Sequence, residues 1–205
     1  MPVDLNHDRI FLRQRREIAE LFGVETRNKY EILTREGSPL GFVAEEGKGI
    51  GAFFGRAFLG HWRTFTINIF DTNRNLAYKA LHPFRFLFQR LEITRATGQR
   101  IGALEQRFGV VTKRFDLEDA HGNVIMKMAA SFWKPWTFPI YKNGEEVALI
   151  LKKWSGTFSE IFTDKDNFTI EFKDKRLTTT ERELILASAM FVDLNYFERK
   201  AGSNS

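Results

Sequence analysis

The chain has 205 residues, a formal net charge of +5 and 21 phenylalanines, a length that suits one domain with a sizeable core. It has no cysteine, which excludes a disulfide framework, a thiolate metal site and a cysteine nucleophile. Its start, MPVDLNHDRIFLRQRRE, is charged early and carries no apolar stretch of the secretory kind, so the expectation is a cytoplasmic chain.

The first predicted element is a helix over Asp8 to Phe22. Phe11, Ile18, Leu21 and Phe22 fall near one side, with Arg9, Arg13, Arg15 and Arg16 among the others. Residues 1–28 thus read as a helical segment packed on or beside the main domain, which is expected over 29–198, with a disordered tail at 199–205. From Lys29 onward the apolar period changes to two. The predicted strands are Tyr30–Thr34, Leu40–Glu45, Phe65–Phe70, Leu76–Leu81, Phe86–Thr94, Ile101–Phe108, Arg114–Glu118, Val124–Ala129, Phe138–Lys142, Val147–Lys153 and Asn167–Phe172. Turn residues separate most of them, and Asn143-Gly144 is the clearest hairpin signal.

The last predicted element is a helix of about 181–197. Its run from Leu184 to Phe197 is apolar apart from Ser188, Asp193 and Asn195. At 1.5 Å per residue that run spans about 21 Å, short of the ~30 Å hydrocarbon core of a bilayer. The expectation is a helix buried in protein, with Leu184, Leu186, Met190, Phe191 and Leu194 in the core. Thr180 followed by Glu183 fits a capping box. Asp193 reads either as a buried functional acid or as a polar group that caps a neighbouring backbone group or lies near the mouth of the fold. Many short strands joined by tight turns favour a closed antiparallel sheet, which removes exposed edges. A wide barrel needs filling, and the apolar C-terminal helix fits inside it. The pattern is therefore mainly β: a closed antiparallel barrel around a central helix, plus the N-terminal helix.

Charge is unevenly placed. Residues 51–115 are net +8 and hold ten of the 21 phenylalanines, whereas the flanking segments are slightly acidic. Basic and aromatic residues together suit an anionic, partly apolar partner. An anionic phospholipid membrane surface and nucleic acid both qualify.

Five pieces carry a resemblance to a known family: FTINIFDTNRNLAYKALHPFR, LEITRATGQRIGALEQRF, FDLEDAHGNVIMKM, KKWSGTFSEIFTDKDNFTIEF and ASAMFVDLNYFE. In order and spacing the chain resembles a phospholipid scramblase, within the group that includes the tubby C-terminal domain and the LURP-one-related proteins. The resemblance implies a twelve-stranded tubby-like barrel with the C-terminal helix threaded through it. It also implies a membrane phospholipid-binding protein that promotes Ca2+-stimulated transbilayer phospholipid movement. The alternative is a nucleic-acid-binding or anionic-lipid-tethered regulatory protein without scrambling activity. Either way the protein is expected at the membrane periphery on the cytoplasmic side.

Two candidate sites follow. Where the family carries cysteine-rich loops, this chain has GKGIGAFFGRAFLGHW, HPFRFLF and SFWKPW. The expected membrane-contact residues are Phe53, Phe54, Arg56, Phe58, Trp62, Arg63, Phe84, Arg85, Phe86, Trp133, Lys134 and Trp136, with Phe88 among their neighbours. Aromatic rings seat at the headgroup interface, and each cation near an anionic surface adds about 1 kcal/mol. The second site is the family's proposed Ca2+ segment, where Asp164, Asp166, Asn167 and Glu171 supply oxygen ligands. It lacks the EF-hand pattern, since Thr169 stands at the turn glycine and Lys175 at the bidentate acid, so any Ca2+ binding is expected to be weak. No hydrolase, zinc-protease or phosphate-loop motif appears, and His7, His61, His82 and His121 are scattered without metal spacing. No enzyme, small-molecule substrate or further cofactor is therefore expected.

Overall fold

The computed structural model describes residues 3–14, 26–46, 64–109, 112–131, 133–152 and 167–194. Twelve strands close into one antiparallel barrel. In chain order they are β1 (Arg9–Gln14), β2 (Thr26–Leu33), β3 (Pro39–Glu46), β4 (Phe65–Phe70), β5 (Leu76–His82), β6 (Arg90–Arg95), β7 (Arg100–Arg107), β8 (Thr112–Glu118), β9 (Val124–Ser131), β10 (Thr137–Lys142), β11 (Glu145–Lys152) and β12 (Asn167–Phe172). Each strand pairs with its sequence neighbours, and β1 closes the ring against β12. One C-terminal helix, Thr179–Val192, follows β12 and is buried from Glu181 onward.

The barrel and its central helix match the sequence expectation; among the described residues the expected N-terminal helix is not shown, its first part being strand instead. Arg9–Gln14 is strand β1, with Ile10 opposite Ile170 and Leu12 opposite both Phe168 and Ile32. The barrel wall therefore begins at Arg9 rather than after residue 28. The run Ile10-Phe11-Leu12 fits either period over so short a length. What settles it is distant pairing, because β12 and β2 would each expose an unsatisfied edge without β1.

Alternation fills the interior. Tyr30, Ile32, Ile67, Ile69, Tyr78, Leu91, Leu104, Phe115, Met128, Ile150 and Phe168 point inward and are at most 2% exposed. On the helix, Leu184, Leu186, Met190 and Phe191 are 1% exposed or less and Leu194 is 4%. The helix comes so close to β7 that a Cβ at Gly102 would crowd Leu184 and collide with the Glu118 carbonyl oxygen. Only glycine leaves that room.

The strand connections differ by end. At one end, here the turn end, five hairpins close in two to five residues. Asn143 and Gly144, at φ 52° and 86°, adopt the left-handed conformations a two-residue hairpin needs. The segment ahead of β1 also lies here, with Val3 and Leu5 each 2% exposed. Arg182 ties it down: its guanidinium donates to the Leu5 carbonyl at 3.0 Å and the His7 carbonyl at 2.9 Å, and stacks 4.5 Å over Phe172. At the opposite, loop end lie the connections 15–25, 47–64, 83–89, 108–111, 132–136 and 153–166. The helix enters at the turn end, so its last turn points to the loop end.

The helix starts two residues earlier than expected, and the cap shifts with it. Thr178 is the N-cap: its Oγ1 accepts from Glu181 N–H at 3.3 Å, and Glu181 Oε2 accepts from Thr178 N–H at 2.8 Å. The segment Thr-Thr-Thr-Glu-Arg-Glu holds two overlapping Thr-x-x-Glu pairs. Glu183 is drawn into the core and paired with Arg95 at 3.2 Å, so only Glu181 remains to reach back. Thr178→Ala is expected to lower stability by about 1 kcal/mol, read as a lower urea midpoint at unchanged slope. A midpoint equal to wild type would return the cap to Thr180.

Candidate functional site

Among the described residues, most of the exposed large apolar side chains lie at the loop end. Phe84, Phe86, Leu87 and Phe88 in the β5–β6 loop are 55, 65, 72 and 38% exposed; Phe108 after β7 is 75% and Trp133 after β9 is 83%. Among the described residues, six of the ten exposed large apolar residues thus sit on three adjacent loops, carried by six consecutive strands. A clustered patch of this kind marks an interaction site, whereas scattered single residues do not. Trp136 is half-buried in the same β9–β10 turn.

These loops bring together the expected contact residues Phe84, Arg85, Phe86, Trp133, Lys134 and Trp136. The other six, Phe53, Phe54, Arg56, Phe58, Trp62 and Arg63, lie outside the described residues. They belong to the segment joining β3 and β4, whose ends both meet this rim. Three residues of the rim were not singled out from sequence. Leu87 was masked by the phenylalanines around it, whereas Phe108 and Arg114 were counted as strand residues. The strands β6 and β7 in fact begin at Arg90 and end at Arg107, which frees 86–89 and Phe108 for the rim. That correction is readable in the alternation: Phe86 and Phe88 share parity with Arg90, which faces outward.

Two sorts of cation line this end. Arg85, Arg114 and Lys134 are exposed, and among the described residues none has an ion-pair partner; Arg114 donates from Nε to Thr112 Oγ1 at 3.1 Å. Arg90 and Arg107 are committed to carboxylates on the outer wall of β6–β8. Arg90 reaches Glu105 at 2.5 Å, Glu118 at 2.7 Å and Glu92 at 3.3 Å, while Arg107 Nε lies 2.7 Å from Asp116. Burial raises the Glu118 carboxyl, but the Arg90 guanidinium against it prevails and holds it below its ordinary range.

Inside the loop end, polar groups cluster around the end of the helix. Asp193 is 0% exposed; it accepts from Tyr30 Oη at 2.5 Å and from Lys152 Nζ at 2.9 Å. Lys152 also sits 5.0 Å from the Phe168 ring centroid. Asp193 is therefore a buried, paired acid at the barrel mouth. Beside it Phe191 packs against His82 at 5.6 Å and edge-on against Phe115 at 5.9 Å, and His82 stacks on Phe65 at 4.6 Å. His82 is thus a buried core residue.

Of the expected cation ligands, Asp164 and Asp166 lie outside the described residues, as does the side chain of Asn167. Glu171 sits on the outer wall with its carboxylate 2.6 Å from Arg9. A cation there would first have to displace that guanidinium. Among the described residues no three His, Asp or Glu side chains are grouped to hold a metal, and no helix is long and apolar enough to cross a membrane.

A closed twelve-stranded barrel threaded by its own helix defines the tubby-like class. A solved structure of an Arabidopsis thaliana protein shares the fold at a TM-score of 0.50 and 11% identity, covering 91% of this chain and 90% of that one. The Scramblase family model matches residues 3–199, and the chain belongs to that family. Rat phospholipid scramblase 1 is 29% identical over 94% of this chain and 60% of its own length. Human phospholipid scramblase 2 is 28% identical over 94% and 68%, and a phospholipid scramblase family protein of Schizosaccharomyces pombe is 24% identical over 97% and 61%. The chain spans about 60% of the length of the rat and fission-yeast relatives.

Proposed function

We propose that this protein docks on anionic phospholipid membranes through its loop end and promotes movement of phospholipid between leaflets. The observation that carries the reading is the exposed aromatic rim interleaved with exposed cations; family membership supplies the phospholipid. The barrel interior is packed with its own helix, so a headgroup finds no route through it. Lipid movement would instead follow from the disturbance that inserted rings make in the outer part of one leaflet. The carboxylates of the 164–171 segment are the candidates for any response to Ca2+.

Each large side chain transferred from water contributes about 1.5–3 kcal/mol. Phe86→Ser with Trp133→Ser is therefore expected to weaken binding to phosphatidylserine vesicles at least tenfold, with the thermal midpoint little changed. Co-sedimentation measures binding, and loss of a quenchable outer-leaflet lipid probe measures exchange, each with and without Ca2+. A folded double variant that binds as wild type would overturn the docking surface. Vesicle binding abolished by excess duplex DNA would favour nucleic acid as the partner instead.

A further inference from the structure

We propose that Arg85, Arg114 and Lys134 form a collar that reads anionic headgroups, and that the ion-paired belt beneath them limits how deeply the aromatic tips insert. This inference rests on the membrane reading above and divides the basic residues of the wall by task.

The division comes from the side-chain ion pairs. Arg107 and Arg114 lie directly opposite one another on the outer face of β7 and β8, at the last paired position of these two strands toward the loop end. Like charges so placed repel. The Arg107 guanidinium turns to Asp116 at 2.7 Å, with Glu105 and Glu118 each at 3.7 Å, all on the turn-end side. Arg114, which has no ion pair among the described residues, donates from Nε to Thr112 Oγ1 at 3.1 Å and stays exposed, opposite Arg107 and thus one residue from Phe108. Arg85 sits between Phe84 and Phe86, and Lys134 follows Trp133, so each collar cation adjoins an exposed ring in sequence or across strands. A cation next to an inserted ring reaches the level of the phosphates.

One outward-facing position further down, about 7 Å along the strands at two residues per step, lie Arg90, Glu105 and Asp116, paired across β6–β8. Lys127 continues the row on β9, opposite Asp116. Glu92 and Glu118 form the next step, each bonded to Arg90. Ionised groups linked in this way lose far more by leaving water than the pairs return. Their carboxylates are also repelled by anionic phosphates. The tips therefore sink until the collar meets the headgroups, and the belt remains in water.

The test compares two charge-matched variants. Arg85→Gln/Arg114→Gln/Lys134→Gln removes the collar; Arg35→Gln/Arg100→Gln/Lys175→Gln removes three exposed cations from the turn end. Each collar residue is expected to contribute about fivefold on anionic vesicles, and the three together about a hundredfold. The turn-end variant should change binding by less than about twofold, beyond a Debye length from the surface. The absence of cysteine gives the depth readout: an environment-sensitive label on Leu87→Cys should shift to the blue on phosphatidylserine vesicles, and one on Lys127→Cys should not. Equal losses in the two triple variants, or a collar variant that binds as wild type, would overturn the collar; an equal shift at 127 would overturn the belt. If wild type fails to bind vesicles at all, the membrane reading falls with it. Binding that persists without the collar pattern overturns this inference alone.

Discussion

Lys152→Met is expected to destabilise the protein by about 3–5 kcal/mol, because it strands a carboxylate in the barrel. Asp193 is fully buried, and its two oxygens are met by Tyr30 and Lys152. Methionine matches the lysine stem in bulk but supplies no proton and no charge. Asp193→Asn should cost less, about 1–3 kcal/mol. The amide still accepts from Tyr30, and the Lys152 ammonium, 12% exposed at the mouth, can turn toward water. Denaturant unfolding measures both, and the ranking is the sharper check. If Lys152→Met unfolds at the wild-type midpoint, the cluster does not fasten the end of the helix.

Phe191→Ala is expected to cost a similar 3–5 kcal/mol for a different reason. Phe191 bridges the helix to two walls, reaching His82 on β5 and Phe115 on β8. Truncation leaves a hole that a barrel wall, hydrogen-bonded on both sides, cannot collapse to fill. Phe191→Leu keeps most of the volume and should cost less than about 1.5 kcal/mol. Alanine and leucine variants of equal stability would mean that the aromatic stack adds nothing to the packing there.

The strands were legible where alternation was clean and the turn chemistry explicit. Phe65–Phe70 and Asn167–Phe172 match the structure residue for residue. The buried helix was legible because a largely apolar run of fourteen residues broken by Asp193 and Asn195 suits a protein interior better than a bilayer. Strand β1 was not, since its identity rests on partners about 20 and 160 residues away. The sequence places the cap two residues late, at Thr180, because it does not show that Arg95 takes Glu183 and leaves Glu181 to Thr178. The aromatic half of the rim was visible in composition. The sorting of its cations was not, because Arg107 and Arg114 flank the same Glu105–Asp116 pair and only the side-chain ion pairs show which one is committed.

The arrangement of the two chain ends has a practical consequence. The segment ahead of β1 is clamped by Arg182 at one pole of the barrel, while the helix delivers its final turn to the other. A reporter protein joined ahead of Val3 would project from the pole remote from the aromatic tips and leave vesicle contact unhindered. The same reporter joined behind the helix would be tethered on the side proposed to face lipid. Comparing the two fusions gives a steric measure of polarity that needs no substitution in the barrel.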